Sequence, residues 1–171
     1  MDSIARFVRD IPDFPKPGIL FKDITPLMRD SAALRATTLA LAAPFRAAGV
    51  TAVVGMEARG FIFGSLVAAE LGTGFVPLRK PGKLPAATHT VSYDLEYGSA
   101  SLEVHIDALR PEDRVLLVDD LMATGGTAAA SVALVRRSGA SVAGCAFVIE
   151  LDFLNGRAAL GDCQVHSLLH Y

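Results

Sequence analysis

Short apolar runs separated by helical stretches constrain this chain more than any other feature. Thr51 to Val54, Gly74 to Leu78, Val115 to Val118 and Val142 to Ile149 read as buried strands, and Val165 to Leu169 as a fifth. Between them lie helical stretches from about Phe61 to Leu71 and from about Thr127 to Ser138, the second with Gly139 as its stop. Near-continuous apolar strands alternating with helices predict an α/β fold, a mostly parallel central sheet covered by helices on both faces. Two regions break the pattern. Near the N-terminus, Ile4, Phe7 and Val8 share one face of a helix over Ser3 to Arg9. Pro12, Pro15, Pro17 and Gly18 then force a shaped loop. A helix capped by Asp30 comes next and ends before Gly49, with Pro44 inside its second half. Farther on, Pro81, Gly82 and Pro85 open a long loop that leads into an edge hairpin over Val91 to Val104.

The 171 residues make one domain, and 51% hydrophobic content fills its core. A net charge of -2 offers no broad basic field, so no nucleic-acid partner is expected. The most apolar run, Leu39 to Phe45, is too short to span a membrane and contains Pro44. Arg6, Arg9, Asp2 and Asp10 do not make a secretory signal. Cys145 and Cys163 fit no metal-binding spacing; they read as buried free thiols of a reducing cytoplasm, with a disulfide between them as the alternative. His166 and His170 are spaced by four, but their segment reads as a terminal strand rather than a helical metal pair; His105 reads as a surface strand residue and His89 receives no role.

Ligands of open parallel sheets bind beyond the carboxyl ends of the strands, so the residues just past each run carry the functional reading. Glu57, Ala58 and Arg59 lie past the first run. Arg79, Lys80 and Lys83 lie past the second. Asp119, Asp120, Ala123, Thr124, Gly125, Gly126 and Thr127 lie past the third. Four cations, three carboxylates and a glycine-rich turn at one sheet edge suit a ligand with several phosphates and a divalent metal. The turn from Thr124 to Thr127 joins strand to helix, where glycines let successive N–H groups face one anion and the helix terminus adds positive partial charge. It lacks the Gly-Lys-Ser/Thr of a Walker loop. The adjacent Asp119 and Asp120 can accept from sugar hydroxyls and hold metal-bound waters.

The stretch from Val115 to Thr127 resembles the phosphoribosyl pyrophosphate signature of the type I phosphoribosyltransferases. The segments Phe14 to Pro26, Glu57 to Phe61, Arg79 to Pro85 and Tyr93 to Gly98 look like those of adenine phosphoribosyltransferases, and the resemblance runs in order from about Ile11 to Tyr171. It implies the type I phosphoribosyltransferase fold with a small hood over about residues 1–30 and a flexible loop and hairpin over about 81–104. It also implies transfer of a phosphoribosyl group to adenine, giving AMP and diphosphate, in purine salvage. In that family Ala123 to Thr127 hold the 5-phosphate, and Asp119 and Asp120 lie near the ribose hydroxyls. Glu57, Ala58 and Arg59 form the diphosphate loop, whose peptide is often cis, with Arg79, Lys80 and Lys83 adding charge. Leu20, Phe21 and Lys22 would recognise adenine, Phe21 by stacking and the backbone of Leu20 and Lys22 by reading the ring edge. Glu96 is the implied acid/base and Tyr97 its neighbour in the closing loop; Arg59 assists the leaving group. The resemblance further implies a magnesium ion held by substrate and waters near the acidic pair, and a homodimer. Two rivals share the phosphate-handling residues: an oxopurine phosphoribosyltransferase, and a non-catalytic regulator that binds phosphoribosyl pyrophosphate. The hood segment and the Glu96–Tyr97 pair argue against the first. The lack of a basic DNA-binding module and the presence of the loop argue against the second.

Overall fold

A computed structural model gives the structure and describes residues 2–94 and 99–171. Helix α1 spans only Asp2–Ala5 and strand β1 Arg9–Ile11. The helix expected through Arg9 therefore stops early. The reason is a competing ladder: β1 pairs antiparallel with β2 (Phe21–Asp23), and Arg9 clasps the Asp23 carboxylate at 2.6 and 3.0 Å. Between them the proline-rich segment is indeed a shaped loop, in which the Gly18 N–H donates to Asp13 at 2.8 Å.

Helix α2 (Thr25–Arg29), not anticipated, starts with Pro26 in its first turn, where a missing N–H costs nothing. Helix α3 (Ser31–Ala42) is capped as expected, Asp30 accepting from the Ala33 N–H at 2.8 Å. Pro44 falls outside it, in a 3-10 turn over Ala43–Phe45. Next come β3 (Ala52–Met56), α4 (Gly60–Leu71), β4 (Gly74–Leu78), β5 (Thr88–Asp94), β6 (Ser99–His105), β7 (Arg114–Met122), α5 (Gly126–Arg137), β8 (Ser141–Glu150) and β9 (Val165–His170). Gly72, at φ 69°, closes α4 with a left-handed cap.

The central sheet runs β4-β3-β7-β8-β9, every neighbouring pair parallel. Side-chain alternation sorts its strands between two cores. Val115, Leu117, Cys145 and Phe147 face one, with α5 and the hairpin. Leu116, Val118, Ala146 and Val148 face the other, with α3 and α4. Phe45, Phe63 and Phe147 are each at most 1% exposed, and such burial stabilises by roughly 1.5–3 kcal/mol per side chain. Strand β7 is longer than its apolar run. Asp119 pairs with Phe147 and Met122 with Glu150, so the acidic residues lie within the strand rather than after it. The antiparallel pair β5–β6 packs on α5, and an Arg79–Glu103 bridge joins it to the end of β4.

Strand β3 lies between β4 and β7. The chain leaves β3 toward β4 and leaves β7 toward β8, so the connections diverge above the β3–β7 pair. That divergence opens a crevice at the carboxyl edge.

Candidate active site

Strand β7 delivers the first element of the site. Beyond Met122 the chain turns through Ala123, Thr124 and Gly125 into α5, with Gly125 at φ 82° as the helix cap. A small cavity of about 90 Å³ is lined by Asp119, every residue from Leu121 to Ala128, Met56 and Phe147. Consecutive N–H groups at the start of a twelve-residue helix make this an anion cradle. Its backing comes from a distant glycine. A Cβ on Gly156 would fall on the Ala123 carbonyl oxygen, and one on Gly125 would fall on the Gly156 carbonyl. Thr127 Oγ1 and the Tyr93 hydroxyl lie 3.1 Å apart, which ties the hairpin to the cradle.

The acidic pair comes next. Asp119 Oδ1 accepts from the Asp120 N–H at 2.8 Å, and Asp120 accepts from Arg59 Nε at 2.5 Å. Burial pushes the Asp119 carboxyl well above the usual range, and the negative charge of Asp120 adds to the shift. For Arg59, burial works against the charged form, but the Asp120 carboxylate outweighs it and raises the guanidinium pKa. Gly60, at the start of α4, lets that helix approach β7. A Cβ there would crowd Asp119 Oδ1 and the Val118 carbonyl, each 2.8 Å away.

Glu57 organises the cations on the neighbouring strand ends. Its carboxylate accepts from Lys83 Nζ at 2.6 Å, the Lys80 N–H at 2.9 Å and Arg79 Nε at 3.3 Å. Burial raises its pKa, but the bonds from Lys83, Lys80 and Arg79 more than offset that and leave it at about 2. The Glu57–Ala58 peptide is cis, in line with the expectation for this loop. Glu103 steadies the next segment by accepting from the Gly82 N–H at 3.1 Å.

A larger cavity of about 650 Å³ is lined by Gly18, Ile19, Leu20, Lys22, Thr124, Leu151, Phe153, Leu154 and Tyr171. Thr124 belongs to both cavities, so they adjoin. Leu20 and Lys22 therefore line the space expected for a base. Phe21 does not; its ring stands edge-on to Phe14 with centroids 5.2 Å apart. The Lys22 ammonium is committed elsewhere, 2.7 Å from Asp10 and 3.8 Å above the Tyr171 ring. Glu96 and Tyr97 lie outside the described residues.

Sequence reasoning missed Leu151, Phe153, Leu154, Gly156 and Tyr171. The first four lie just past β8, where the strand-end rule applied to the fourth apolar run would have found them. His166 and His170 do not form a pair: His166 Nε2 lies 3.1 Å from the Ala40 carbonyl and His170 Nδ1 2.9 Å from Asp152. Glu150, Asp152 and His170 bring ligand-type atoms within 4.8 Å of one another, a grouping that could hold a divalent ion. Both Glu150 oxygens, however, already accept from Arg157, and one also from Ser167. No helix among the described residues is long and apolar enough to cross a membrane.

Fold and site together define an α/β protein with a glycine-rich strand-to-helix turn, an acidic pair and clustered cations at the carboxyl edge of a parallel sheet, an arrangement suited to anions. Residues 37–158 match the model of the phosphoribosyl transferase domain. The chain is 67% identical to adenine phosphoribosyltransferase of Methylococcus capsulatus and 65% identical to that of Nitrosococcus oceani, each over 171 residues and the whole of both chains. It superposes on the crystal structure of adenine phosphoribosyltransferase from Rhodothermus marinus with a TM-score of 0.95 at 51% identity, covering 99% of this chain and 97% of that one. The enzyme from Saccharomyces cerevisiae, complexed with an imino-altritol bisphosphate and adenine, gives 0.92 at 40% identity, covering 99% and 100%. The chain belongs to the phosphoribosyltransferase family, and within it to the adenine phosphoribosyltransferases.

Proposed function

We propose that this chain transfers the phosphoribosyl group of phosphoribosyl pyrophosphate to adenine, releasing AMP and diphosphate as a step of purine salvage. The observation that carries the reading is the adjoining pair of cavities: a cradle of backbone N–H groups shares Thr124 with a wider, mainly apolar space. The 5-phosphate takes the turn from Ala123 to Thr127. The ribose hydroxyls face Asp119 and Asp120, and the base takes the space beside Leu20 and Lys22.

Catalysis requires a stabilised leaving group and a held nucleophile. Arg59, with Arg79, Lys80 and Lys83, meets the diphosphate as the C1–O bond breaks and ribose gains cationic character. Glu57 holds two of those cations beforehand, so little reorganisation is needed when charge develops. Glu96 exchanges a proton with the imidazole ring of the purine, and the segment around Tyr97 closes over the substrates.

The acidic pair also suits a magnesium ion. Asp119 and Asp120 stand side by side at the sheet edge, the Asp120 N–H donating to Asp119 Oδ1 and Arg59 donating to Asp120. Magnesium bound there through substrate and water would spread the charge of the leaving diphosphate.

We assign residues of about 1–30 as the hood and about 81–104 as the closing loop of a single domain. We further infer a homodimer in the cytoplasm. The outward side of helix α4 is largely apolar, Ile62 being 39% exposed, with Ser65 and Glu70 its polar residues, as suits a helix partly covered on its second side.

The test is a spectrophotometric assay with magnesium and phosphoribosyl pyrophosphate, offering adenine, hypoxanthine, guanine and xanthine separately. AMP formed from adenine alone bears the reading out. Turnover of an oxopurine overturns the base assignment, and tight binding without turnover of any base makes the chain a sensor. In the same assay Glu96→Gln lowers kcat by about two to four powers of ten; an unchanged kcat removes Glu96 from the mechanism.

A further inference from the structure

The chain between β8 and β9 serves both cavities. It forms 3-10 turns over Asp152–Leu154 and Gly156–Leu160 before a tight turn into β9. Leu151, Phe153 and Leu154 line the larger cavity, and Gly156 backs the phosphate turn. The Arg157–Glu150 ion pair and backbone bonds at its two ends anchor this segment to the sheet.

Cys145 and Cys163 meet where that segment returns. Their sulfurs are 3.7 Å apart, Cys145 fully buried on β8 and Cys163 partly exposed. Backbone bonds fix both partners: the Cys145 N–H donates to the Gln164 carbonyl at 2.8 Å, and the Cys163 N–H to the Leu160 carbonyl at 3.1 Å. Bonding requires the two sulfurs to close from 3.7 Å to about 2.0 Å.

We propose that Cys163 and Cys145 form a redox modification site for low-molecular-weight disulfides, closing to an internal disulfide that ties the site-lining segment to β8. The exposed member reacts first. Its thiol is drawn down to about 7, foremost by its hydrogen bond with Cys145, with the charge of Arg136 assisting against burial and Asp162. The inner thiol is pushed up by that same bond and by burial, which keeps it out of reach of external reagents.

The chemistry balances in two steps. The Cys163 thiolate attacks one sulfur of a small disulfide RSSR. That S–S bond breaks, RS⁻ leaves, and a mixed disulfide remains on Cys163. Cys145 then gives its proton to the departed RS⁻, and its sulfur attacks Cys163 and expels the second RS⁻. That thiolate takes up the proton which Cys163 released. Two protein thiols are oxidised and one RSSR is reduced to two RSH.

The test uses the full chain under native conditions with glutathione disulfide. The wild type is expected to lose both titratable thiols and about 2 Da of mass, with Cys145 and Cys163 joined in one cross-linked peptide. Closing a loop of this length moves the unfolding equilibrium about a hundredfold toward the folded state, seen as a higher denaturant midpoint that reverts with dithiothreitol. Cys145→Ala is expected to stop at a glutathione adduct of about 305 Da on position 163, and Cys163→Ser to remain unmodified. A wild type that stops at the single adduct, or one that keeps both thiols titratable, overturns the proposal. The wild-type arm stands even if a variant folds poorly, and none of these readouts depends on the transferase activity.

Discussion

Replacing Gly156 with alanine places a methyl group in the wall of the phosphate cradle without touching any ligand. The added Cβ lands on the Ala123 carbonyl oxygen and lies 3.1 Å from both the Gly125 nitrogen and Met122 Cγ. Two of those three atoms belong to backbone, so relief comes from moving the turn itself, by about 1 Å. A displacement of that size in a positioning element costs about a hundredfold in rate. The overpacking itself costs about 1–3 kcal/mol, or roughly 2–12 °C in Tm for a chain of this length. The backbone of Gly156 lies outside the positive-φ region, so the effect is steric and local. Gly74→Ala provides the control, because nothing lies within 4 Å of its added Cβ and its φ is ordinary. The assay varies phosphoribosyl pyrophosphate at saturating adenine, with equilibrium binding of ribose 5-phosphate as a second readout. The expected result is a kcat/KM about a hundredfold lower for Gly156→Ala, weaker ribose 5-phosphate binding, and near wild-type values for Gly74→Ala. Equal kinetics for the two variants would refute the idea that Gly156 shapes the cradle.

Other predictions address the charges and the base. Arg59→Ala removes the guanidinium that faces Asp120 and is expected to lower kcat/KM for phosphoribosyl pyrophosphate by about 10²–10³; a loss under tenfold in steady-state assays would rule out a leaving-group role. Glu57 has its pKa depressed from 4.5 to about 2 by folding, so its stabilisation is complete above pH 4.5 and disappears as pH falls toward 2. Denaturant midpoints measured across that window should decline less steeply for Glu57→Gln than for the wild type. Lys22→Arg keeps the cation beside Asp10 and Tyr171, and the KM for adenine should change by less than about threefold. A tenfold rise would show that the lysine side chain itself reads the base.

The sheet and the glycine turn that opens α5 were legible because both rest on local signals. Apolar runs located the five strands, and Thr124 to Thr127 announced the cradle through glycines that a strand-to-helix turn requires. Strand β7 shows the limit of that logic. Its ladder with β8 continues through Asp119 and Asp120, which no hydrophobic pattern marks as strand. The short β1–β2 pair was missed for a similar reason: the stretch through Arg9 has helical periodicity, and only the distant Asp23 makes a strand the better solution. Gly156 and Tyr171 escaped because their role comes from what they touch across the fold. One supports a turn far upstream of itself, and the other lies under the ammonium of Lys22. The stacking role of Phe21 comes from the resemblance alone; in the structure its ring stands edge-on to Phe14.

The pairing of Glu57 and Asp120 with the surrounding cations has a consequence for how substrate arrives. Arg59, Arg79, Lys80 and Lys83 stand against Glu57, Asp119 and Asp120, a formal balance of about +1 when all are ionised. With Asp119 protonated, as its raised pKa favours, the balance is about +2, still well below the charge of the four cations alone, so steering of distant anions is weakened. On the proposed function, a diphosphate would gain its contacts by ion exchange, sharing or displacing the carboxylates that already pair with Arg59, Arg79 and Lys83. Association rates should therefore depend only weakly on ionic strength, while dissociation, which must re-form those internal pairs, carries most of the salt response.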